Sequence, residues 1–179
     1  MKYLILTDIH GSSKYLKQVL NRVSQFDKLI LLGDILYHGP RNDLPIEYNP
    51  REVVDILNDL NDKIIAVRGN CDAEVDLMVL DFLIEDNKWL KVGNNKIFLT
   101  HGHHYNKQNV VDYNEKYYMI YGHYHINEFI SINHINCINL GSLSIPKDNH
   151  HSYAILEENI YRSFDLVSND VILEVELNE

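Results

Sequence analysis

Carboxylates and imidazoles follow several short apolar runs in this 179-residue chain. One such run, Leu29 to Leu32, stops abruptly at Gly33 and Asp34. It predicts a buried strand, covered on both faces as in a parallel sheet, with the Asp34 carboxylate at its end. Open α/β sheets bind ligands just beyond the carboxyl ends of their strands. Gly-Asp is also a common turn dipeptide, so a functional role for Asp34 depends on what ends the other strands.

Oxygen and nitrogen ligands end five of the predicted strands. Alternate side chains of an extended segment share a face, so Asp8 and His10 can point at one place, as can His123 and His125. Each motif alone also fits an ordinary polar loop, but their coincidence at five strand ends favours a metal site. The candidate ligands are Asp8, His10, Asp34, Asn70, His101, His123 and His125.

The charge of the chain bears on which substrates such a site could take. The formal net charge is −10, and the chain has ten histidines beside 26 acidic residues. This balance disfavours general binding to nucleic-acid backbones and anionic membranes, because both need Lys and Arg to displace counterions. Bound cations would instead attract an anionic substrate. Mixed imidazole and carboxylate ligands suit Mn, Fe, Zn or Co better than Ca.

The elements that must position these residues alternate between strand and helix in the first part of the chain. Helical spacing of apolar residues predicts a helix over 16–23, with Ser12 or Ser13 as its cap. Asn49 as cap and Pro50 at the first helical position predict a second helix. The predicted strands run from Tyr3 to Thr7, Leu29 to Leu32 and Lys63 to Val67. Three strand–helix units in succession imply a parallel sheet with right-handed crossovers.

Beyond Asp81 the pattern changes to short strands with little helix between them. Turns are predicted at Asn94-Asn95, Asn133-His134 and Glu158-Asn159. We therefore expect a second, mostly antiparallel sheet packed on the first. The predicted strands are Trp89 to Val92, Lys96 to Thr100, Tyr117 to Tyr121, Phe129 to Ile132, Ile135 to Asn139, Tyr153 to Leu156, Tyr161 to Leu166 and Val171 to Leu177.

Length and composition predict one globular domain over residues 1–179. The chain is 45% hydrophobic and 23% charged, and no run approaches the ~20 apolar residues that cross a bilayer, so we expect a soluble protein without a secretory signal. Cys71 and Cys137 cannot make a disulfide framework, which makes the reducing cytoplasm the default location. The oligomeric state stays open, and a homo-oligomer is one outcome.

The ordered motifs resemble those of the calcineurin-like metallophosphoesterase superfamily. More narrowly, Gly-Asn-Cys-Asp at 69–72, Thr-His-Gly-His at 100–103 and Asn139-x-Gly141-Ser142 are similar to its small single-domain phosphodiesterase branch. The resemblance implies an α/β fold, with two packed mixed β-sheets flanked by helices in a four-layer sandwich. The superfamily motifs are Asp8-x-His10, Gly33-Asp34, Gly69-Asn70, His101-Gly102-His103 and Gly122-His123-x-His125.

The resemblance also implies a ligand set and a reaction. Two divalent transition-metal ions would be bound, with Mn preferred and Fe, Zn, Co or Ni as alternatives, and a metal-bridging hydroxide would attack a small phosphodiester substrate. Asp34 would bridge both metals. The remaining ligands would be Asp8, His10 and His125 for one metal, and Asn70, His101 and His123 for the other.

The resemblance also implies catalytic and substrate-binding roles, and the sequence departs from the superfamily pattern at one of these positions. Asp34 and Asn70 are expected to be catalytic, Asn70 because its neutral amide preserves the positive charge of the site. Most superfamily members have a His near the leaving group after Gly-Asn, and here Cys71 stands in that catalytic position. The loop 38–49 is too long to be only a connector, so it should shape the substrate pocket. Substrate-binding or ligand-orienting candidates are His38, Arg41, Asp72 and His103.

Two other kinds of protein could carry these motifs, a non-catalytic binding scaffold and a metal-dependent nuclease. Relatives of this fold in vesicle-coat assembly act as binding scaffolds without metal function, but here none of the seven ligand positions is vacant. A metal-dependent nuclease would need a basic track for the nucleic-acid strand, which the net charge of −10 disfavours.

Overall fold

The computed structural model describes residues 1–178 and begins with strands that run parallel. They are β1 (Tyr3–Leu6), β2 (Lys28–Leu31), β3 (Ile64–Val67) and β4 (Ile84–Glu85). Helix α1 (Ser13–Arg22) joins β1 to β2, and α2 (Pro50–Asn58) lies between β2 and β3. The first two predicted strand–helix units are therefore confirmed. The third connection contains a short 3-10 helix, Glu74–Met78, instead of an α-helix.

The two α-helices begin differently. At α2 the Asn49 side chain accepts a hydrogen bond of 3.3 Å from the backbone N–H of Glu52, which confirms the predicted cap. At α1 the Ser12 side chain makes no cap bond, and its hydroxyl donates to Ile46 O at 2.6 Å. Ser12 therefore fastens the loop after β2 to the start of α1.

The first sheet continues into the C-terminal part of the chain. Strands β10 (Ser152–Glu157), β11 (Ile160–Asp165) and β12 (Val171–Glu176) extend it, in the order β12-β11-β10-β1-β2-β3-β4 over the described residues. Strand β10 pairs antiparallel with β1, so the sheet is mixed. We had expected these three strands in the second sheet.

The second sheet is mixed as well. It has the order β5-β6-β7-β9-β8 and comprises β5 (Lys88–Val92), β6 (Asn95–Leu99), β7 (Tyr117–Tyr121), β8 (Glu128–Ile132) and β9 (Ile135–Asn139). Only its edge pairs are antiparallel, because β6, β7 and β9 run parallel. The expectation of a mostly antiparallel sheet was wrong, since the 17 residues from 100 to 116 allow a crossover that a hairpin cannot make.

The hairpin predictions are confirmed at two turns and displaced at the third. Asn133 has a φ of 56°, and Glu158 and Asn159 have φ values of 52° and 62°, as tight hairpin turns require. At the β5–β6 hairpin Asn95 already pairs with Val92, so the turn lies one residue earlier than predicted.

The core lies on both sides of the first sheet. Between the sheets, fully buried Ile5 and Leu32 pack with Ile120 and Ile138 of the second sheet. Apolar residues of α1 and α2 cover the opposite face of the first sheet. Residues 105–113 contribute side chains that cover the outer face of the second sheet. Within residues 1–178, neither α-helix has the length and apolar character needed to span a bilayer.

Candidate metal centre

Five strand ends meet at one edge of the sandwich and bring the seven predicted ligands together. The parallel neighbours β1, β2 and β3 end near Asp8, Asp34 and Asn70, while β6 and β7 lead to His101 and His123. Backbone hydrogen bonds fix these loops to each other. Asp8 N donates to Gly33 O at 3.1 Å, and Gly122 N donates to His101 O at 2.8 Å.

Left-handed backbone conformations are concentrated at this edge. Asp8, His10, Asp34, His123 and His125 have φ values of 53°, 47°, 53°, 68° and 61°. A non-glycine residue in this region costs roughly 1–3 kcal/mol, and such strain persists where the surrounding structure enforces it, commonly at functional sites. The same five residues are predicted ligands, so the strain and the chemistry coincide.

Gly69 allows the loop after β3 to approach Asp34. A Cβ at position 69 would lie 2.1 Å from Asp34 Oδ1 and 2.3 Å from Asp34 N. Every other residue would displace the carboxylate, so only glycine fits. The glycine of the Gly-Asn motif is thus explained by packing against the central carboxylate.

The first group of ligand atoms surrounds Asp8. Its Oδ1 atom lies 3.5 Å from His10 Nε2 and 3.2 Å from His125 Nε2. The Nδ1 atoms of these histidines lie 2.7 Å from the carbonyl oxygens of Tyr37 and Ile145. A carbonyl only accepts, so Nδ1 carries the proton and the Nε2 lone pair faces the carboxylate, as in a metal-binding histidine.

The second group contains His101. Its Nδ1 donates to Leu32 O at 2.7 Å, and its Nε2 lies 3.4 Å from Asp34 Oδ2 and 3.1 Å from Asn70 Oδ1. The same Asp34 Oδ2 atom is 3.8 Å from His10 Nε2 of the first group. Asp34 therefore lies between the two groups.

His123 stands beside the second group. Its ring centroid is 5.1 Å from that of His101, and its backbone N–H donates to Asp8 Oδ2 at 3.1 Å. Three overlapping sets of side chains have potential ligand atoms within 4.8 Å of one another: Asp8, His10 and His125; Asp8, Asp34 and His101; and His10, Asp34 and Cys71.

The electrostatics of the cluster favour positive charge at its centre. Burial alone would raise the pKa of Asp8, but the imidazoles of His10 and His125 beside its Oδ1 atom hold it well below its usual range. Burial also opposes ionisation of Asp34, and His101 outweighs it and lowers the Asp34 pKa. Burial disfavours charged His101, yet the two carboxylates raise its pKa to about 9. Divalent cations can replace such imidazole protons.

The donor atoms fit divalent transition metals. Asp8 Oδ1 and His10 Nε2 are buried and have no hydrogen-bond partner among residues 1–178. Buried polar atoms of this kind are costly unless a ligand satisfies them. The set combines imidazole nitrogens with carboxylate and amide oxygens, which suits such ions.

Asp72 binds the backbone around Asp34. Its carboxylate accepts three backbone N–H groups, those of Asp34 at 2.9 Å, Ile35 at 2.8 Å and Gly69 at 2.7 Å. Burial raises the pKa of Asp72, while the bonds from Ile35 and Gly69 act against that rise. These three bonds tie the backbone of Asp34 and Ile35 to that of Gly69.

Sequence reasoning missed several groups that hold Asp8. The hydroxyls of Ser142 and Ser144 donate to Asp8 O at 2.9 and 3.1 Å, and Thr7 Oγ1 donates to Asp8 Oδ2 at 2.7 Å. The Asn139-x-Gly141-Ser142 motif was the available signal for Ser142. Nothing in the local sequence indicated Ser144.

Two clefts open at the centre, and Asn70 lines both. The smaller, of about 260 Å³, includes Arg41 and Cys71 from the prediction and Lys147, which was not predicted. The larger, of about 740 Å³, includes His103.

His38 lies outside the lining of both clefts in the described structure. Its ring packs edge-on against Tyr37 and Tyr48 at 4.7 and 5.2 Å. Gly39, Pro40, Arg41 and Asn42 line the smaller cleft, which agrees with the predicted role of the loop 38–49 in shaping a pocket.

Two packed mixed sheets with a buried carboxylate–imidazole cluster at their strand ends are the architecture of metallophosphoesterases. The model of the calcineurin-like phosphoesterase superfamily domain matches residues 1–159. The chain belongs to this superfamily.

Known proteins are similar to this chain over nearly its full length. Phosphodiesterase YfcE of Escherichia coli K12 is 40% identical over 183 aligned positions, covering 99% of both chains. The solved structure of YfcE, described as a phosphoesterase from E. coli, matches with a TM-score of 0.95 and covers 99% of this chain and 100% of that one. Vps29 of Entamoeba histolytica complexed with Zn²⁺ is 21% identical, with a TM-score of 0.63 and coverage of 99% and 100%, and shares the fold.

Proposed function

We propose that the chain is a dinuclear metal-dependent phosphodiesterase. The observation that carries this proposal is the position of Asp34 Oδ2, which lies 3.8 Å from His10 Nε2 and 3.4 Å from His101 Nε2. The 40% identity to a phosphodiesterase over the full chain supports the same reaction class. One metal would be held by Asp8, His10, Asp34 and His125, and the other by Asp34, Asn70, His101 and His123.

When bound, two divalent ions would lower the pKa of a water molecule between them and neutralise charge on the phosphate. The chain's own residues orient this chemistry. Backbone carbonyls fix the protons of His10, His101 and His125 on Nδ1 and leave Nε2 for coordination. The neutral Asn70 amide adds a ligand without cancelling positive charge. The site would then keep a net positive charge, which would attract an anionic ester to an otherwise acidic protein.

Metal-resolved hydrolysis tests this proposal. Metal-free protein should hydrolyse bis(p-nitrophenyl) phosphate only after a divalent ion is added, and we expect Mn²⁺ to give the highest rate among Mn²⁺, Fe²⁺, Zn²⁺, Co²⁺ and Ni²⁺. p-Nitrophenyl phosphate, assayed in parallel, measures any monoesterase activity. Metal binding without hydrolysis of either ester would favour the scaffold alternative.

We propose a single domain over residues 1–179, a cytoplasmic location, and a small phosphodiester as substrate rather than a nucleic-acid strand. Both cysteines are free, in agreement with a reducing compartment.

Arg41 is predicted to bind a phosphate oxygen of the substrate. It is exposed and lines the smaller cleft with Asn70 and His123, which are predicted ligands. Arg41→Ala should raise KM several-fold, roughly the effect of losing one charge-assisted hydrogen bond. Steady-state kinetics with bis(p-nitrophenyl) phosphate measure this, with Arg51→Ala, an exposed arginine outside the lining, as control. Unchanged KM and kcat for every diester tested would refute the contact.

Cys71 should restrict the enzyme to esters with good leaving groups. Burial, and then Asp34, raises the pKa of Cys71 to about 12. Bound cations would act in the opposite direction and favour the thiolate, which has no proton to donate, so we expect Cys71 to be a poor proton donor in both cases. Cys71→His should increase kcat for esters with poor leaving groups relative to aryl esters, whereas Cys71→Ala should not. The measurement is the slope of log kcat against leaving-group pKa. An equally steep slope in the histidine variant, with metals and fold intact, would show that position 71 does not govern protonation.

A further inference from the structure

A larger cleft lies beside the metal centre and shares Asn70 with it. Its volume of about 740 Å³ lies within the range of roughly 300–1,000 Å³ typical of pockets for small organic molecules. Asn70, a predicted metal ligand, lines this cleft as well as the smaller one. A phosphate held at the centre would therefore direct one of its two ester substituents into the larger cleft.

Aromatic and imidazole rings form one part of its lining. The rings of His103 and His104 lie 4.0 Å apart between centroids, tilted by 42°, and Tyr105 follows them. The Nδ1 atom of His103 is buried and lacks a hydrogen-bond partner in the part of the chain that the structure describes. Rings of this kind offer stacking surfaces to a planar ligand.

Polar groups form the rest of the described lining, which contains no aliphatic side chain. Arg68 uses its Nε to donate to Asp72 O at 3.3 Å, and Asn87 and Asp86 add an amide and a carboxylate. Amides read the edges of heterocycles, and carboxylates accept hydrogen bonds from sugar hydroxyls.

We propose that this cleft binds a nucleoside, so that the substrate is a small nucleotide diester. The proposal rests on the proposed phosphodiesterase function and adds the chemical class of one ester substituent. The base would stack on the ring of His104, which is exposed, and the sugar would lie toward Asp86 and Asn87.

Calorimetry on the Mn²⁺-loaded chain tests the cleft without turnover. The probes are AMP, UMP and ribose 5-phosphate. All three contain a ribose 5-phosphate group, and only AMP and UMP carry a base. We expect the two nucleotides to bind about tenfold more tightly than ribose 5-phosphate, as one stacked base contributes. Equal affinity of all three probes would overturn the proposal.

The variants locate the effect. His104→Ala should remove most of the nucleotide preference, and Asn87→Ala should weaken AMP and UMP several-fold. His134→Ala is the matched control, because it also removes an exposed histidine but lies outside the cleft lining. Equal loss of preference in the His104 and His134 variants would contradict the assigned cleft.

Hydrolysis of bis(p-nitrophenyl) phosphate, measured on the same preparation, separates the two proposals. Hydrolysis without nucleotide preference would reject the nucleoside site and leave the phosphodiesterase function intact. Nucleotide preference without hydrolysis of any diester would keep the cleft as a binding site and reject the function.

Discussion

Asp34→Asn should abolish hydrolysis of phosphodiesters and lower the metal content of the protein. One oxygen of this carboxylate faces an imidazole Nε2 from each ligand group, and the other accepts the Cys71 N–H at 2.8 Å. The amide keeps the size of the side chain but removes the negative charge between the two predicted metals. We expect kcat to fall by roughly 10³-fold or more, because several kcal/mol of stabilisation depend on the metal pair.

The measurement combines turnover with metal per chain, determined by elemental analysis after gel filtration. Asp43→Asn is the matched control, since it makes the same change at an exposed position of the loop after β2, outside both cleft linings. His134→Gln should also leave activity unchanged. An Asp34→Asn protein with two metals and normal turnover would refute the bridging role.

Much of the fold could be predicted from local patterns. The buried strand before Asp34 and the Asn49 cap were readable because each depends on neighbours within a few residues. Sheet membership was not. Strand β10 pairs with β1 although about 150 residues separate them, with Tyr3 opposite Leu156, and an alternating pattern does not encode which edge a strand joins.

The candidate site shows the same division. Residue type and spacing indicated the seven candidate ligands, because strand ends can be read from the sequence. The groups that hold Asp8 in place come from distant parts of the chain. His123 N, which donates to the Asp8 carboxylate, lies 115 residues away in sequence, and the Ser144 hydroxyl, which donates to Asp8 O, lies 136 residues away. Likewise, the left-handed backbone of Asp8 depends on tertiary packing and has no local sequence signature.

Asp72→Asn should impair both activity and stability, because its carboxylate accepts three backbone N–H groups. An amide can replace only one carboxylate oxygen, so at least one of the N–H groups of Asp34, Ile35 and Gly69 would face an NH₂ group. Leaving a buried donor unsatisfied costs about 1–3 kcal/mol. We expect a destabilisation of about 2 kcal/mol in urea unfolding and a fall in kcat/KM of roughly 10²-fold, because the strained Asp34 backbone loses its support.

Asp76→Asn is the control for Asp72, because Asp76 lies in the same connection between β3 and β4. Its carboxylate accepts a hydrogen bond of 2.9 Å from Ala73 N at the start of the 3-10 helix. Asp76 lies outside the described lining of both clefts. If the role of Asp72 is purely structural, Asp72→Asn should lower the free energy of unfolding and leave the Mn²⁺ affinity of the folded protein unchanged. An orienting role requires weaker Mn²⁺ binding under conditions where the variant is fully folded, since Asp34 would no longer be held at its φ of 53°. Wild-type Mn²⁺ affinity and turnover in folded Asp72→Asn would contradict the orienting role.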